Sequence, residues 1–386
     1  RSNARPSNPD EMVSVRELPL DQEVAEFSLD TALFRGEDNT FLPMHRSVAE
    51  YLAGECLARL VVGVGGRAAF PLSRVLALLC GPDGKAPSEL RGLFAWLAAH
   101  LSKLGDGAGA RQLIETDAAT VLAYGDAAAF STNGRKALLT NLDRDDPFFR
   151  ASQDRALVVG GLAGEDLAQD FRQILDRTDD GGHLVLTVLI ALEEGAPVPS
   201  LHAYMRAIVL SEDRPFWQRS RAARIWADGK ADPSAALRQI VDDIAHLPKT
   251  RLNVALRAGL AGELPADLFG SADIRSLLLD VDQFGQRPGA HDDNEESSSV
   301  SLTGLQLSFE RTPRLDLFDV PFTAVEARGR CFETEHFLER TLATCISHAP
   351  DASAEQIWSW IEGSREHPWE SLASDPAEAL TRWICR

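Results

Sequence analysis

Apolar residues recur at helical spacing along most of this chain. In the segment 90–104 they lie on one helical face, at Leu90, Leu93, Phe94, Leu97, Leu101 and Leu104. Comparable patterns predict helices at 167–175, 201–209, 237–247, 332–347 and 354–360. Ser200 is a candidate N-cap for the second of these. The uniformly apolar run 184–192 predicts an inner helix, because its neighbours are helical. The chain is therefore expected to be mainly α.

Short Gly, Pro and Asp turns separate these segments, at 145–147, 195–197, 213–215, 229–233 and 247–248. Connections of this length favour antiparallel helix pairs, and recurring pairs bury their apolar faces by stacking on their neighbours. No strict consensus repeat is visible in the sequence. We therefore expect an irregular HEAT-like α-solenoid.

A β-hairpin is predicted before the first helix. The apolar segments 31–35 and 40–44 flank Gly36-Glu37-Asp38-Asn39, residue types that tolerate turn geometry. Ser47 and Glu50 then fit a capping box, which predicts a helix that begins at about Val48. His45 lies just before this helix N-terminus, where unpaired amides and the helix dipole favour an anion such as a phosphate.

The residues 41–53, with the pattern F-x-x-x-H-x-S-x-x-E-Y-L-A, resemble the end of the winged-helix domain in STAND ATPases of the NACHT type. In that family the histidine contacts the β-phosphate of bound ADP, so the resemblance assigns this cofactor contact to His45. Met44-His45-Arg46 is also similar to the "MHD" signature of the plant and apoptotic relatives of this family, although Arg46 replaces the acid and no acidic role carries over. The alternative is that His45 only packs or hydrogen-bonds at a strand–helix junction.

The resemblance and the periodicity together divide the chain into four segments. Residues 1–46 are expected to be the tail of a winged-helix domain with its β-hairpin, and 47–280 a helical-repeat solenoid. The segments 91–98 and 121–126 resemble, less specifically, the helices that follow the winged helix in a bacterial group of these ATPases. Residues 281–315 contain the acidic, serine-rich run 291–299 and are expected to be a linker or loop. Residues 316–386 form a C-terminal helical capping unit, whose core is expected to bury Trp358, Trp360, Trp369 and Trp383.

Composition narrows the range of partners. The net charge of −19 over 386 residues argues against a nucleic-acid or anionic membrane surface, so we expect a protein partner. Five cysteines without a C-x-x-C pair fit a reducing compartment, and there is no apolar signal segment or transmembrane run. We expect a cytoplasmic protein. The absence of an initiating Met suggests a piece of a longer protein.

Three groups of residues suggest a ligand site, but each lacks a feature that the corresponding known motif requires. Residues 63–68 match a dinucleotide fingerprint but follow a predicted helix, where a strand is required. Residues 81–86 resemble a phosphate loop but lack its spacing and its hydroxyl. Cys331, His336, Cys345 and His348 match no established zinc spacing. We therefore expect no metal site and no catalytic residue in this chain.

The resemblance implies a sensor or regulatory helical-repeat arm of a NACHT-type STAND signalling ATPase. Such an arm would recognise a protein partner and support homo-oligomerisation of the parent, and the resemblance implies antiviral (anti-phage) defence as one setting. ATP or ADP and Mg²⁺ would bind the full-length parent, whose phosphate loop would lie upstream. One alternative is a free-standing α-solenoid that acts as a scaffold or adaptor, and another is an enzyme with a site between helices.

Overall fold

Helices joined by brief turns account for most of the described chain. The computed structural model describes residues 13–14, 34–37, 40–43, 45–66, 68–144, 159–177, 182–285, 300–318, 330–364 and 374–385. The fold is mainly α, as predicted, and it forms two compact units, Arg1–Val198 and Pro199–Arg386. None of the described helices is both long and apolar enough to cross a membrane.

In the described ranges, strands occur only ahead of the first helix. Strand β1 is Val13–Ser14, β2 is Phe34–Glu37 and β3 is Thr40–Pro43. They form a small antiparallel sheet in the order β1-β3-β2. Glu37 pairs with Thr40, so two residues separate β2 from β3.

The first unit contains helices α1 to α7: Arg46–Val62, Leu72–Leu79, Arg91–Lys103, Gly107–Tyr124, Thr132–Leu142, Ala168–Leu175 and Gly182–Glu194. Helix α1 packs on α3, α3 on α4 and α4 on α5. Within α4 the backbone of Asp117 leaves helical geometry, at φ −155° and ψ 75°. Its carboxylate accepts a hydrogen bond from the Thr120 amide at 3.1 Å, so it caps the second half of a kinked helix.

The second unit contains helices α8 to α16: His202–Leu210, Phe216–Asp228, Pro233–Ala245, Arg251–Ala261, Ser271–Gly285, Thr303–Arg311, Phe332–His348, Ala354–Ser364 and Ser374–Ile384. From α8 to α12 each helix packs on the next, and α11 also contacts α9 and α13. Helix α14 contacts α12, α13, α15 and α16. Successive packing of this kind follows from short connections between amphipathic helices.

The helices predicted from periodicity are confirmed, including the inner helix over 184–192, which lies within α7. The predicted capping box is wrong. Helix α1 begins at Arg46 with His45 as its N-cap, and no side chain caps it. Glu50 accepts a hydrogen bond from Arg46 Nε at 2.7 Å, so its carboxylate is not available to the N-cap amide. Ser200 is not an N-cap either, because it lies inside a 3₁₀ turn, Pro199–Leu201.

Two features differ from the predicted linker at 281–315. Helix α12 continues across residue 280 to Gly285, and residues 303–311 form α13. Leu305 and Phe309 of α13 are buried, because the helix packs on α11 and α14. The acidic run 291–299 lies outside the described residues.

The C-terminal tryptophans do not share one environment. Trp360 is 1% exposed, as expected for a core residue, whereas Trp358 is 52% exposed and donates Nε1 to Glu362 at 2.7 Å. Trp383 is half-buried and Trp369 lies outside the described residues. Core packing thus accounts for Trp360 but not for Trp358.

Candidate functional site

His45 lies at the seam between β3 and α1, with an exposed side chain. Its backbone is extended, at φ −115° and ψ 137°, and its carbonyl accepts from the amides of Val48 and Ala49 at 3.1 and 3.3 Å. The imidazole makes no hydrogen bond to any residue that the structure describes. The His45 side chain is therefore exposed and unbonded within the described part of the chain.

Arg46 fixes the start of α1. Its Nη2 donates to the carbonyls of Ser88 and Glu89 at 3.1 and 2.7 Å, and its Nε pairs with Glu50. These bonds tie the first turn of α1 to the segment just before α3. The Arg46 guanidinium is therefore used to position the start of α1.

The glycine-rich segment after α1 is a helix end, as expected. Gly63 ends the helix in the left-handed region, at φ 77°, with its amide bonded to the Arg59 carbonyl. Because a helix and not a strand precedes it, the dinucleotide fingerprint is excluded.

The loop at 81–86 closes on itself. The Gly81 amide donates to the Lys85 carbonyl at 2.9 Å, and the Gly84 amide donates to the Gly81 carbonyl at 3.0 Å. The Lys85 amide donates to Asp83 Oδ1 at 3.1 Å. Lys85 Nζ lies 3.9 Å from Asp117 Oδ1 in the α4 kink. Amides that a phosphate loop would offer are therefore already bonded.

The four candidate zinc ligands each contact a different neighbouring group. Cys331 Sγ lies 3.5 Å from Thr334 Oγ1, and Cys345 Sγ lies 3.7 Å from the Arg314 carbonyl. His336 stacks on Phe332, while His348 Nδ1 lies 2.9 Å from the Thr344 carbonyl. Within the described ranges no three His, Cys, Asp or Glu side chains are grouped to hold a metal.

A buried arginine joins three elements of the second unit. Arg219 of α9 is 0% exposed. Its Nε donates to the Val209 carbonyl at 2.7 Å, and its Nη2 donates to Asn253 Oδ1 of α11 at 2.7 Å. Asn253 in turn donates Nδ2 to Glu212 at 2.9 Å and to the Pro248 carbonyl at 2.8 Å. Burial lowers the pKa of Arg219, and Glu212 opposes that effect.

A second buried arginine links α11 to α12. Arg257 Nη1 donates to Asp280 Oδ2 at 2.8 Å, and Lys249 Nζ lies 2.5 Å from the same oxygen. Burial lowers the pKa of Arg257, while Asp280 raises it. The Asp280 carboxylate therefore pairs with two cations: Arg257 of α11, and Lys249, which lies just before α11 begins.

Arginines also bind the ends of 3₁₀ turns, a recurrence that the sequence analysis missed. Arg135, Arg238 and Arg275 donate to the carbonyls of Leu162, Leu268 and Leu317, at 3.5, 3.0 and 3.0 Å. These carbonyls end the turns Gly160–Leu162, Ala266–Leu268 and Leu315–Leu317. A weak sequence signal exists: the last two of these turns end in Asp-Leu, and a buried phenylalanine, Phe269 or Phe318, follows each of them.

A buried histidine lies between α1 and α3. His100 of α3 is 4% exposed, and its ring centroid lies 4.6 Å from that of Tyr51. Tyr51 also makes an edge contact with Trp96 at 4.9 Å. His100 Nε2 is buried and has no hydrogen-bond partner among the described residues. Burial lowers the pKa of His100, although Glu55 opposes the effect and Lys103 and Arg59 add to it.

These side chains fall into two kinds: His45 faces outward, while His100, Arg219 and Arg257 are committed to packing between helices. The chain matches no protein-family model, no curated protein and no solved structure.

Proposed function

We propose that this chain is the sensor or regulatory arm of a NACHT-type STAND signalling ATPase. In this proposal β2 and β3 belong to the end of its winged-helix domain, residues 47–280 are an irregular HEAT-like solenoid, and residues 316–386 are a C-terminal helical capping unit. The arm recognises a protein partner and supports oligomerisation of the parent in cytoplasmic signalling, with antiviral defence as the expected setting. ATP or ADP with Mg²⁺ would be held by the parent.

The observation that carries the proposal is the position of His45. It follows directly after two paired strands, forms the N-cap of α1 and is exposed, as a nucleotide contact requires. A histidine that only packed at the junction would be expected to be enclosed or hydrogen-bonded to its neighbours.

The helix contacts support the repeat part of the proposal. Three ion pairs in the second unit join a helix to the second helix along the chain, or to the residues just past its end: Arg206 to Asp243, Arg224 to Glu263 and Arg238 to Asp273. The paired residues are 37, 39 and 35 positions apart. These spacings lie between the periods of tetratricopeptide repeats, about 34 residues, and HEAT repeats, about 40–47 residues, so they support a stack of helical hairpins.

The test uses the protein expressed from its genomic reading frame, with whatever sequence is encoded upstream of Arg1. The nucleotide that co-purifies is identified and counted by chromatography for the wild type and for His45→Ala. The proposal expects retained ADP, with a loss of about tenfold or more in ADP affinity in the variant. His183→Ala, which changes an exposed histidine of α7, is the matched control and should keep its ADP.

Two results would overturn the proposal. One is an upstream reading frame without a phosphate-binding lysine and a Mg²⁺-binding acid, which would leave the free-standing scaffold as the better account. The other is equal ADP retention in His45→Ala and the wild type.

A further inference from the structure

A cavity of about 570 Å³ lies between α4 and α5 in the first unit. We call it the polar groove, and its lining is Arg111, Glu115, Asn133, Lys136, Ala137, Thr140, Asn141 and Arg144. The last six follow helical spacing, so they form one stripe along α5 that continues just past its end. Arg111 and Glu115 lie one turn apart on α4. The volume of the polar groove falls within the range of small-ligand pockets, roughly 300–1,000 Å³.

The charge of the groove opposes that of the chain. Three cations and one carboxylate line it, in a protein whose net charge is −19. Arg111 pairs with Glu115 at 2.8 Å and Lys136 pairs with Asp170 at 3.1 Å, but all these pairs are exposed or half-exposed and therefore weak. The Arg144 guanidinium makes no ion pair or hydrogen bond with any other described residue. A positive charge is thus available to an anionic ligand.

The neutral lining residues suit a peptide backbone. Asn141 donates Nδ2 to the Ala137 carbonyl at 2.8 Å, which fixes the side chain and leaves Oδ1 as an acceptor. The amide of Asn133 makes no side-chain hydrogen bond within the described residues and is exposed. An asparagine amide carries one acceptor and two donors, so it can pair with both the N–H and the C=O of an extended chain.

We propose that the polar groove binds an acidic peptide segment of a protein partner. Lys136 and Arg144 bind its carboxylates, and Asn133 and Asn141 bind its main chain. Guanidinium and ammonium groups bind carboxylates through short, charge-assisted hydrogen bonds, and arginine does so in a two-pronged geometry. The inference rests on the proposed function only in taking the partner to be a protein, and it does not involve His45.

The test measures the fluorescence anisotropy of a short fluorescein-labelled oligoglutamate peptide, with a serine–glycine peptide as the neutral comparison. Measurements at about 0.15 M salt screen the long-range repulsion between the peptide and the acidic chain. The paired change Lys136→Glu and Arg144→Glu is expected to weaken oligoglutamate binding by about tenfold or more. The milder pair Lys136→Gln and Arg144→Gln should weaken it by about threefold, and it carries the test if the first pair loses helical circular dichroism.

The matched control is the pair Arg74→Glu and Arg251→Glu, which changes the net charge by the same amount. Both residues are exposed and lie in the first turns of α2 and α11, where glutamate suits the helix dipole. Oligoglutamate binding should stay within about twofold of the wild type. Equal weakening in the control and groove pairs, or no preference over the neutral peptide, overturns the inference. Displacement by inorganic phosphate as readily as by unlabelled peptide would also overturn it. None of these outcomes bears on ADP retention by His45.

Discussion

The contact between α1 and α3 and the stack from α8 to α12 bring helices together in two different ways. In the first, small residues permit close backbone approach: a Cβ added at Gly54 would lie 2.8 Å from Trp96 Cβ and 3.0 Å from the Leu97 amide nitrogen. In the second, polar side chains cross the space between helices, with Arg219 and Arg257 fully or nearly buried.

The difference shows where each contact is vulnerable. A close-packed contact fails when volume is added, because neither the Trp96 stem nor the α3 backbone can move far. A polar bridge fails when one member is removed, because the remaining groups stay buried without partners. Three substitutions test this contrast, in order of the expected effect.

The largest effect is expected for Arg219→Ala. The change leaves Asn253 Oδ1 and the Val209 carbonyl without their donor and opens a cavity between α9 and α11. Each buried acceptor left without a donor costs about 1–3 kcal/mol of the free energy of unfolding, and the cavity adds to that loss. Urea unfolding followed by circular dichroism measures the loss, and hydrogen exchange of α8 to α11 locates it.

Arg219→Lys separates charge from geometry. Lysine keeps the positive charge but cannot donate to Val209 and Asn253 from one planar fork, so it should recover only part of the stability. Arg251→Ala, an exposed change on α11, should alter the free energy of unfolding by no more than about 0.5 kcal/mol. A loss for Arg219→Ala no larger than that of this control would contradict the bridge as the main stabilising contact.

Two glycines of the α1–α3 contact give the next effect. Gly54→Ala places its Cβ against the Trp96 stem and the α3 backbone, and overpacking of this kind costs about 1–3 kcal/mol. At Gly92 the three atoms nearest to an added Cβ all belong to the Glu50 carboxylate, the end of a flexible side chain, and alanine gains up to about 1 kcal/mol of helix propensity that offsets a weaker Arg46–Glu50 pair. Thermal unfolding of both variants should therefore show a clear loss for Gly54→Ala and little change for Gly92→Ala. Equal losses would mean that close approach is not what distinguishes the two positions.

The smallest effect is the pH dependence contributed by His100. Its folded-state pKa is lowered from the ordinary value of 6.5 because burial disfavours the charged imidazole. The unfolded chain therefore binds the proton more readily, so stability is complete above pH 6.5 and falls as the pH drops below that value. His100→Gln should remove this component from the unfolding temperature measured between about pH 8 and about pH 5.

His183→Gln is the control for that experiment, since His183 is exposed on α7 and should leave the pH dependence as in the wild type. Hydrogen-exchange protection factors in α1 and α3, which correct for the intrinsic pH dependence of amide exchange, should fall at the lower pH in the wild type and not in His100→Gln. An unchanged pH profile in His100→Gln would show that other groups produce it.

The helices themselves could be predicted because their signal is local. The apolar spacing in 90–104 predicts a helix, and α3 covers Arg91–Lys103 with Phe94, Leu97 and Leu101 buried. Even the uniformly apolar 184–192 could be assigned from its neighbours. The ends of the helices could be predicted less well than the helices themselves. The start of α1, for example, depends on whether Glu50 bonds to the N-cap amide or to Arg46.

The candidate sites also differ in whether the sequence alone could reveal them. The position of His45 before a helix is visible in sequence, because the strand, turn and helix signals are adjacent in the chain. The polar groove is not, because Arg111 and Arg144 are far apart in sequence and meet only when α5 packs on α4. The buried role of Arg219 is equally invisible, since an arginine in an amphipathic helix is ordinarily exposed.

The sequence by itself determined a mainly helical chain, a histidine at a helix start and a strong acidic balance, because these depend on residue type and short spacing. Only the tertiary structure decided which polar residues are buried and which cations share a groove. The physical reason is that a side chain's burial and partners are set by the neighbouring helix, and that helix lies tens of residues away in the chain.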